Sequence, residues 1–496
     1  MLTARRASAT LVGGGDEPAL RPPPCATPPW PPPHPHPRPR PRPRVDVVDA
    51  LNTALGQHYV FGAGDASLQR RTLLEMATND TGAWTQWLDF KCSTALAARA
   101  HLAYSGDAST VAQLWSDDDG AIRAGDGTGP YNSLQFFASL RYYNGSGRGL
   151  LHFPASGACG GTWACDALVD WPVGTRDGYD VGADNTDDTV RSALGAMAYA
   201  GLADVAGWLG KAAPAARYAA MAAGVRGALR RLNLRSNGSE AYFVDGAVGA
   251  PAAHAAVHST LYAIAAGAAD GDGALAGALT AFLRRRGVAP SSCMMGRWWV
   301  TGLLRIGVWA ADAADLALEV LTAPGYPGWL YMIQQGATTT MEAWRPQDKS
   351  NLDWAHPWCA SPSFTLPGGV LGAEPLEPGW GRWRLAPQPS SLSRVDARVP
   401  TPAGVLDVAY RASWGGGAAV ANVTLTVAPG QRALVCLAAP GAAAEARRLA
   451  DAVAAGASDV LAVDGVPVTP TPWGRFACVP EDLQPGLHVV TRVVSA

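Results

Sequence analysis

The spacing of apolar residues changes once along this chain, and that change restricts the possible fold more than any other feature. Up to about residue 372, apolar positions return every three to five residues. Val190, Leu194, Met197, Leu202, Val205 and Leu209 do so within 187–211, and Tyr218, Met221, Val225, Leu229 and Leu232 follow. Leu275, Leu279 and Phe282 make a third such set, and Leu316 and Val320 belong to a fourth. This spacing turns one face of an α-helix toward a core. From about residue 373 the period is two. Val395, Ala397 and Val399 alternate with polar neighbours, as do Val423, Leu425 and Val427 with Asn422, Thr424 and Thr426. Asp464-Gly465 between valines is a two-residue hairpin signal. The expected fold is multi-domain, α then β: a helical domain over 46–372 and an antiparallel β-sandwich over 373–496.

Residues 1–45 stand apart. They end in PHPHPRPRPRPR, with Arg38, Arg40, Arg42 and Arg44 alternating with proline. Such a run has no apolar face to bury, so a disordered or polyproline II linker outside the fold is expected.

Charge excludes some partners. The chain has 39 Lys+Arg against 41 Asp+Glu, a formal net charge of -2. That balance leaves no footprint for nucleic acid or an anionic membrane surface. The longest charge-free run, 246–269, is rich in Ala and Gly and contains Pro251, His254 and His258. It is too weakly apolar to insert, so no membrane insertion is expected. The eight cysteines show no CxxC spacing, and neither a metal nor a cofactor is expected. Cys159 and Cys165, in CGGTWAC, either close a small disulfide loop or stay as thiols. N-x-[ST] sequons begin at Asn79, Asn144, Asn237 and Asn422. They favour a secreted or secretory-pathway location, although the first residues lack the apolar centre of a signal peptide.

The 18 tryptophans include four close pairs: Trp84 and Trp87, Trp298 and Trp299, Trp354 and Trp358, Trp380 and Trp383. Indoles fill cores, and they also stack on the C–H faces of sugar rings. Two segments combine aromatics with acids. Gln334–Pro362 places Glu342 among Thr338, Thr339 and Thr340, with Trp344, Trp354, His356 and Trp358 nearby. A carboxylate in that company can hold a water against a bound sugar as a general base, or it can be a surface glutamate beside packed indoles. Ala167–Asp188 gathers Asp170, Asp177, Asp180, Asp184, Asp187 and Asp188 around Trp171, Arg176 and Tyr179. Asp187 or Asp188 is expected to cap the next helix, while the others can bind sugar hydroxyls. Calcium is the alternative, but the EF-hand spacing is not met.

The run TAPGYPGWLYMIQQGATTTMEAW closely resembles the signature of the α-L-rhamnosidase family around G-A-T-T-x-W/M-E. DWAHPWCASPSF, VLGAEPLEPGWGRWRLAPQP and PTPAGVLDVAYR continue the likeness, as do DWP…RDGYD and YFVDGAVGAPAAHAAVHSTLYAIAAG, over roughly residues 65–496. The resemblance implies an (α/α)6 barrel followed by a β-sandwich, and inverting hydrolysis of terminal α-L-rhamnose or a similar deoxy-sugar. Carried over by position, Glu342 matches the general base. Asp170 and Trp171 match an Asp-Trp pair on the sugar, and His356 matches a histidine of the same subsite. Trp344, Arg176 and Asp177 are implied neighbours.

One departure stands out. The family's general acid lies in an upstream Asp-Cys-Pro…Arg-x-Glu…Trp…Gly-Asp stretch that has no match here. Glu75, Asp80 and Asp89 are acidic but lack that setting, so the barrel is expected to be incomplete on its N-terminal side. Two further readings stay open: a non-catalytic sugar-binding or truncated form, and another toroidal glycosidase.

Overall fold

The computed structural model describes residues 47–62, 66–78, 88–116, 147–151, 168–179, 187–246, 254–415 and 418–495. The Pro/Arg-rich segment, Trp84 and Trp87, Asp80, Asn79, Asn144, Cys159, Cys165, Asp180 and Asp184 lie outside these residues. So do the side chains of Glu75 and Asp89.

Twelve helices of the described residues precede the sandwich. They are α1 (Val47–Phe61), α2 (Ser67–Thr78), α3 (Leu88–Ser105), α4 (Ala108–Gln113), α5 (Thr189–Trp208) and α6 (Ala212–Leu232). After a hairpin of β1 (Leu234–Asn237) and β2 (Glu240–Phe243) come α7 (Val257–Ala265), α8 (Gly273–Arg286) and α9 (Gly296–Ile306). Then follow α10 (Ala311–Thr322), α11 (Trp329–Gln334) and the single turn α12 (Pro362–Thr365). Six of them form a closed inner ring. α1 packs on α3, α3 on α5, α5 on α7, α7 on α9, α9 on α12, and α12 returns to α1. Outer helices back them: α2 and α4 on α3, α6 on α5, α8 on α7, α10 on α9.

Side-chain chemistry sets the helix ends. Asp188 caps α5 by accepting from Arg191 N at 2.8 Å, and Asp272 caps α8 by accepting from Leu275 N at 2.9 Å. Arg284, Arg285 and Arg286 in the last turn of α8 face the negative end of its dipole, and Gly287 ends it at φ +67°. The inner helix α7 is buried from Val257 to Ile264, so an amphipathic period cannot reveal it. The outer α6 buries the expected stripe of Tyr218, Met221, Val225 and Leu229.

The strands after residue 372 build two sheets. They are β3 (Ala373–Pro375), β4 (Arg382–Leu385), β5 (Arg394–Thr401), β6 (Gly404–Gly415), β7 (Ala418–Val427) and β8 (Arg432–Ala438). After α13 (Ala443–Ala454) come β9 (Ser458–Val463), β10 (Val466–Val468), β11 (Thr471–Trp473), β12 (Phe476–Cys478) and β13 (Gly486–Ser495). One sheet runs β10-β9-β13-β7-β6-β5 and the other β11-β12-β8-β4-β3. All pairs are antiparallel except β4 with β8. The expected alternation holds: Val395, Ala397 and Val399 of β5 and Val423, Leu425 and Val427 of β7 point into the core between the sheets. Asp464 and Gly465 make the β9–β10 turn with φ of 52° and 81°, the left-handed pair such a two-residue hairpin needs.

The two layers share a core. Trp380 and Trp383 are wholly buried, and the Trp380 ring meets Tyr59 of α1 and Tyr104 of α3 edge-on, at 6.4 and 5.7 Å. No helix of the described residues is long and apolar enough to cross a membrane.

His58, in α1, stacks on Tyr104 at 5.0 Å, and neither ring nitrogen has a hydrogen-bond partner among the described residues. Burial, aided by His101, pulls its pKa down to about 3. An unfolded histidine titrates near 6.5, so between these values the unfolded chain binds the proton that the fold refuses. Stability is therefore full above about pH 6.5 and falls as pH drops. At pH 5 the loss from this group should be about 2 kcal/mol relative to pH 7.5. Urea unfolding at the two pH values should show His58→Phe losing less than the native protein by that amount. An equal loss in both would acquit His58.

Candidate active site

Both acid-and-aromatic segments reach the ring at the N-terminal ends of inner helices. The Asp170 loop leads toward α5 and packs against the start of α7, while Glu342 lies on the stretch between α11 and α12. They meet at the turn Ser291–Met295 that precedes α9. Ser292 bonds Asp170, the Ser291 carbonyl accepts from Trp344 Nε1 at 2.9 Å, and Cys293 forms a disulfide with Cys359 beside α12. The sequence reading missed this link, because residues 66 apart carry no spacing signal. A second disulfide joins Cys436 and Cys478, which sit opposite each other in β8 and β12.

Glu342 is 6% exposed, and its two oxygens are treated differently. Oε2 accepts from Lys349 Nζ at 2.7 Å and from Asp353 N at 3.2 Å. Oε1 accepts no hydrogen bond from the described residues, and His356 Nε2 stands 3.7 Å away. The backbone on either side is fixed too: Glu342 N donates to Asp353 O at 2.9 Å, and Trp358 Nε1 donates to Glu342 O at 2.9 Å. The His356 ring lies tilted against Trp358, with centroids 4.3 Å apart. Burial lowers its pKa, against the opposite pull of Glu342 and Asp353. Trp354 is 49% exposed and Trp358 is buried, so this pair splits between surface and core.

Glu342, Asp353 and His356 bring one ligand atom each within 4.8 Å of one another. The Lys349 ammonium on Glu342 opposes a metal ion there, because a cation would have to displace it. Lys349 and Asp353 were not singled out from sequence; they sit in a turn-rich loop where spacing says nothing about contact.

The Asp170 carboxyl has no exposed surface. Trp171 N donates to Oδ1 at 2.8 Å, His258 Nε2 lies 2.9 Å from Oδ2, and Ser292 N donates to Oδ2 at 2.8 Å. Ser292 Oγ closes on Oδ1 as well. With every lone-pair direction served by protein, this group anchors the loop and fixes the backbone of Trp171, whose side chain is half-buried. Arg176 Nε donates to Asp170 O at 3.0 Å. Asp177 accepts from Val257 N, in the first turn of α7, at 2.8 Å, and it pairs with Arg286 of α8. Trp344 is 2% exposed, with its ring edge-on to Trp329 at 5.2 Å. Asp170, Asp177 and Trp344 are thus engaged with protein partners, while Glu342 and His356 stand beside one another and Trp171 and Arg176 are half-buried on the Asp170 loop. Asp188, one of the two expected caps, also accepts from Tyr179 Oη at 2.6 Å.

A closed ring of inner helices, a second layer behind it and a sandwich on its flank define a six-hairpin toroid with an appended β domain. The bacterial α-L-rhamnosidase 6-hairpin glycosidase domain matches residues 157–366, and the C-terminal domain of the same enzymes matches 372–448. Two consecutive domains of the bacterial α-L-rhamnosidases are therefore recognised in this chain, in that order. An α-L-rhamnosidase of Alteromonas sp. (strain LOR) is 34% identical over 120 residues, which is 22% of this chain and 13% of that protein. Among solved structures, an α-L-rhamnosidase of Dictyoglumus thermophilum has a TM-score of 0.62 at 14% identity, over 90% of this chain and 45% of that one. A Streptomyces avermitilis α-L-rhamnosidase in complex with L-rhamnose has a TM-score of 0.58 at 17% identity, over 90% and 38%. A Bacillus sp. GL1 rhamnosidase has a TM-score of 0.57 at 20% identity, over 80% and 39%. The chain thus spans less than half the length of each relative.

Removing the Asp170 side chain would orphan donors from three segments. Asp170→Ala should destabilise the protein by about 3–5 kcal/mol, and Asp170→Asn, which keeps one acceptor, by less. Urea denaturation gives the comparison. A loss below about 1 kcal/mol for the alanine variant would show that the loop does not depend on this network.

Proposed function

We propose that this chain contains the catalytic toroid, residues 46–372, of an enzyme that removes terminal α-L-rhamnose or a similar deoxy-sugar by inversion, with Glu342 as general base. The observation that favours this most is the division of labour within Glu342. Oε2 is clamped by Lys349 and the Asp353 amide, so Oε1 has a fixed direction and is left for a water. That oxygen would take the water's proton as the water attacks the anomeric carbon from the face opposite the leaving group. Trp171 offers a half-buried indole for the sugar's apolar face, and Arg176 and His356 offer polar edges. The carbohydrate reading agrees with the rhamnose complex of the Streptomyces avermitilis relative.

The acid must be a second carboxyl. Asp353 is too close: an oxygen of it comes within 4.8 Å of Glu342, whereas inversion needs about 6.5–9.5 Å between the two groups to leave room for water. Of the acidic residues upstream, Asp89 lies in the first turn of the inner helix α3. The C-terminal end of α3, at Tyr104, gathers with the C-terminal parts of α1 and α7 at the opposite end of the ring. The backbone of Asp89 therefore belongs to the same end as Glu342, which makes it the first acid candidate to test. A form that binds sugar without turnover is the competing reading, because the family's acid motif is missing.

Export is part of the proposal. Asn237 is exposed at the tip of the β1–β2 hairpin and open to glycosylation, whereas the Asn422 amide donates to Thr491 Oγ1 at 3.0 Å within the sheet.

An aryl α-L-rhamnoside with an activated leaving group needs little protonation, so it reports on the base even where the acid is weak. Glu342→Gln should lower its kcat by about 10²–10⁴ while rhamnose binding persists. Lys349→Met, which frees Oε2, should lower kcat by about tenfold or more with little change in KM. Full turnover in Glu342→Gln would remove the base assignment. Rhamnose binding with no turnover by the native chain would favour the binding-only reading.

A further inference from the structure

The ring has a second end. The C-terminal parts of α1, α3 and α7 converge there with β3, β4 and β11 around a cavity of about 450 Å³, and α9 lines it along its length, from Arg297 and Trp298 in its first turn to Arg305 in its last. None of Glu342, Asp170, Trp171 and His356 lines it.

Its charges do not cancel. Arg305 pairs with Asp270 through two nitrogens, and Arg384 pairs with Glu374 at 2.6 Å. Arg297 is the third guanidinium on the wall. Its Nη1 donates to Asn52 Oδ1 at 3.2 Å, and no carboxylate among the described residues pairs with it. Burial pulls it down to about 10, so it stays protonated at neutral pH. A cation enclosed without a counter-charge favours any anion that can reach it.

Two polar groups of other lining residues also lack partners. Thr365 is 1% exposed, and its Oγ1 has no hydrogen bond; neither does the buried Nε of Arg384. The remaining wall includes indoles. Arg297 lies over Trp298 at 4.6 Å, and Arg384 lies over Trp473 at 4.3 Å. A ligand that answers all of this carries one planar carboxylate for the guanidinium fork, hydroxyls for the unpartnered groups, and an apolar ring face for the indoles. The volume falls in the range of small-molecule sites.

We infer that this cavity, whose lining includes none of the residues around Glu342, is a second ligand site that takes a uronic acid with its carboxylate on Arg297. The uronate is either free or the end residue of an oligosaccharide. The inference does not depend on the role of Glu342.

Titration calorimetry on the full chain tests it, with D-galacturonate and D-glucuronate as probes and galactose and acetate as controls. At least one uronate should bind saturably, and each control more weakly by about tenfold or more. Arg297→Gln should weaken uronate binding by about 10–100-fold, and Thr365→Val by about fivefold. Glu342→Gln should leave it unchanged. Digalacturonate binding more tightly than galacturonate assigns the site to a chain end; weaker binding assigns it to the free acid. The inference fails if neither uronate binds, if Arg297→Gln binds as the native chain does, or if Glu342→Gln abolishes binding. Should Arg297→Gln not fold, as judged by circular dichroism, undiminished binding by Thr365→Val overturns it instead.

Discussion

A carboxyl group with no exposed surface must find all its partners inside the protein, and Asp170 finds them in three stretches far apart in sequence. Trp171 is its neighbour, His258 comes from α7, and Ser292 comes from the turn before α9. Each of these sits at the N-terminal end of an inner helix or on the loop that leads to one. Satisfying one buried acid therefore fixes how those ends stand relative to each other. The neighbouring residues of the same turn extend the constraint: Ser291 receives the Trp344 indole, and Cys293 is joined to Cys359. Glu342 lies two residues before Trp344, and its carbonyl accepts from the indole of Trp358, next to Cys359, so its position follows from the same turn.

That arrangement separates stiffness from chemistry. The residues that hold the site face inward and are saturated with protein partners, as Asp170, Asp177 and Trp344 show. Glu342 differs in keeping one oxygen unengaged while the other is pinned. A base must be rigid enough to aim a water and open enough to receive its proton, and the asymmetry of this carboxyl meets both demands. At the far end of the ring the balance is reversed. Arginines and indoles gather where the helix C-termini meet the sandwich, and Trp380 seals α1 and α3 to it.

Much of this was legible in the sequence where one residue's neighbours are local. The period of two after residue 373 gave strands with the right buried faces, because alternation along a strand is fixed by backbone geometry alone. Asp464-Gly465 gave its hairpin because both residues must take positive φ there. Asp188 gave its helix start, since a cap reaches only three residues ahead. The outer helices showed their stripes, while the inner α7 hid its own by being buried on all sides.

What tertiary structure alone decided is which acids are engaged and which are not. Glu342 and Asp170 look alike in sequence, each an acid beside aromatics, yet one keeps an oxygen open and the other is fully enclosed. Lys349, Asp353, His258 and Ser292 hold no pattern that marks them; they matter through contacts across loops and up to 122 residues of chain. The same is true of Cys293 and Cys359, and of Arg297, left without a carboxylate partner among the described residues. Local rules set the type of each element and its buried face, because those depend on spacing of a few residues. Site chemistry depends on which groups desolvate one another after the ring has closed, and no short window of sequence contains that.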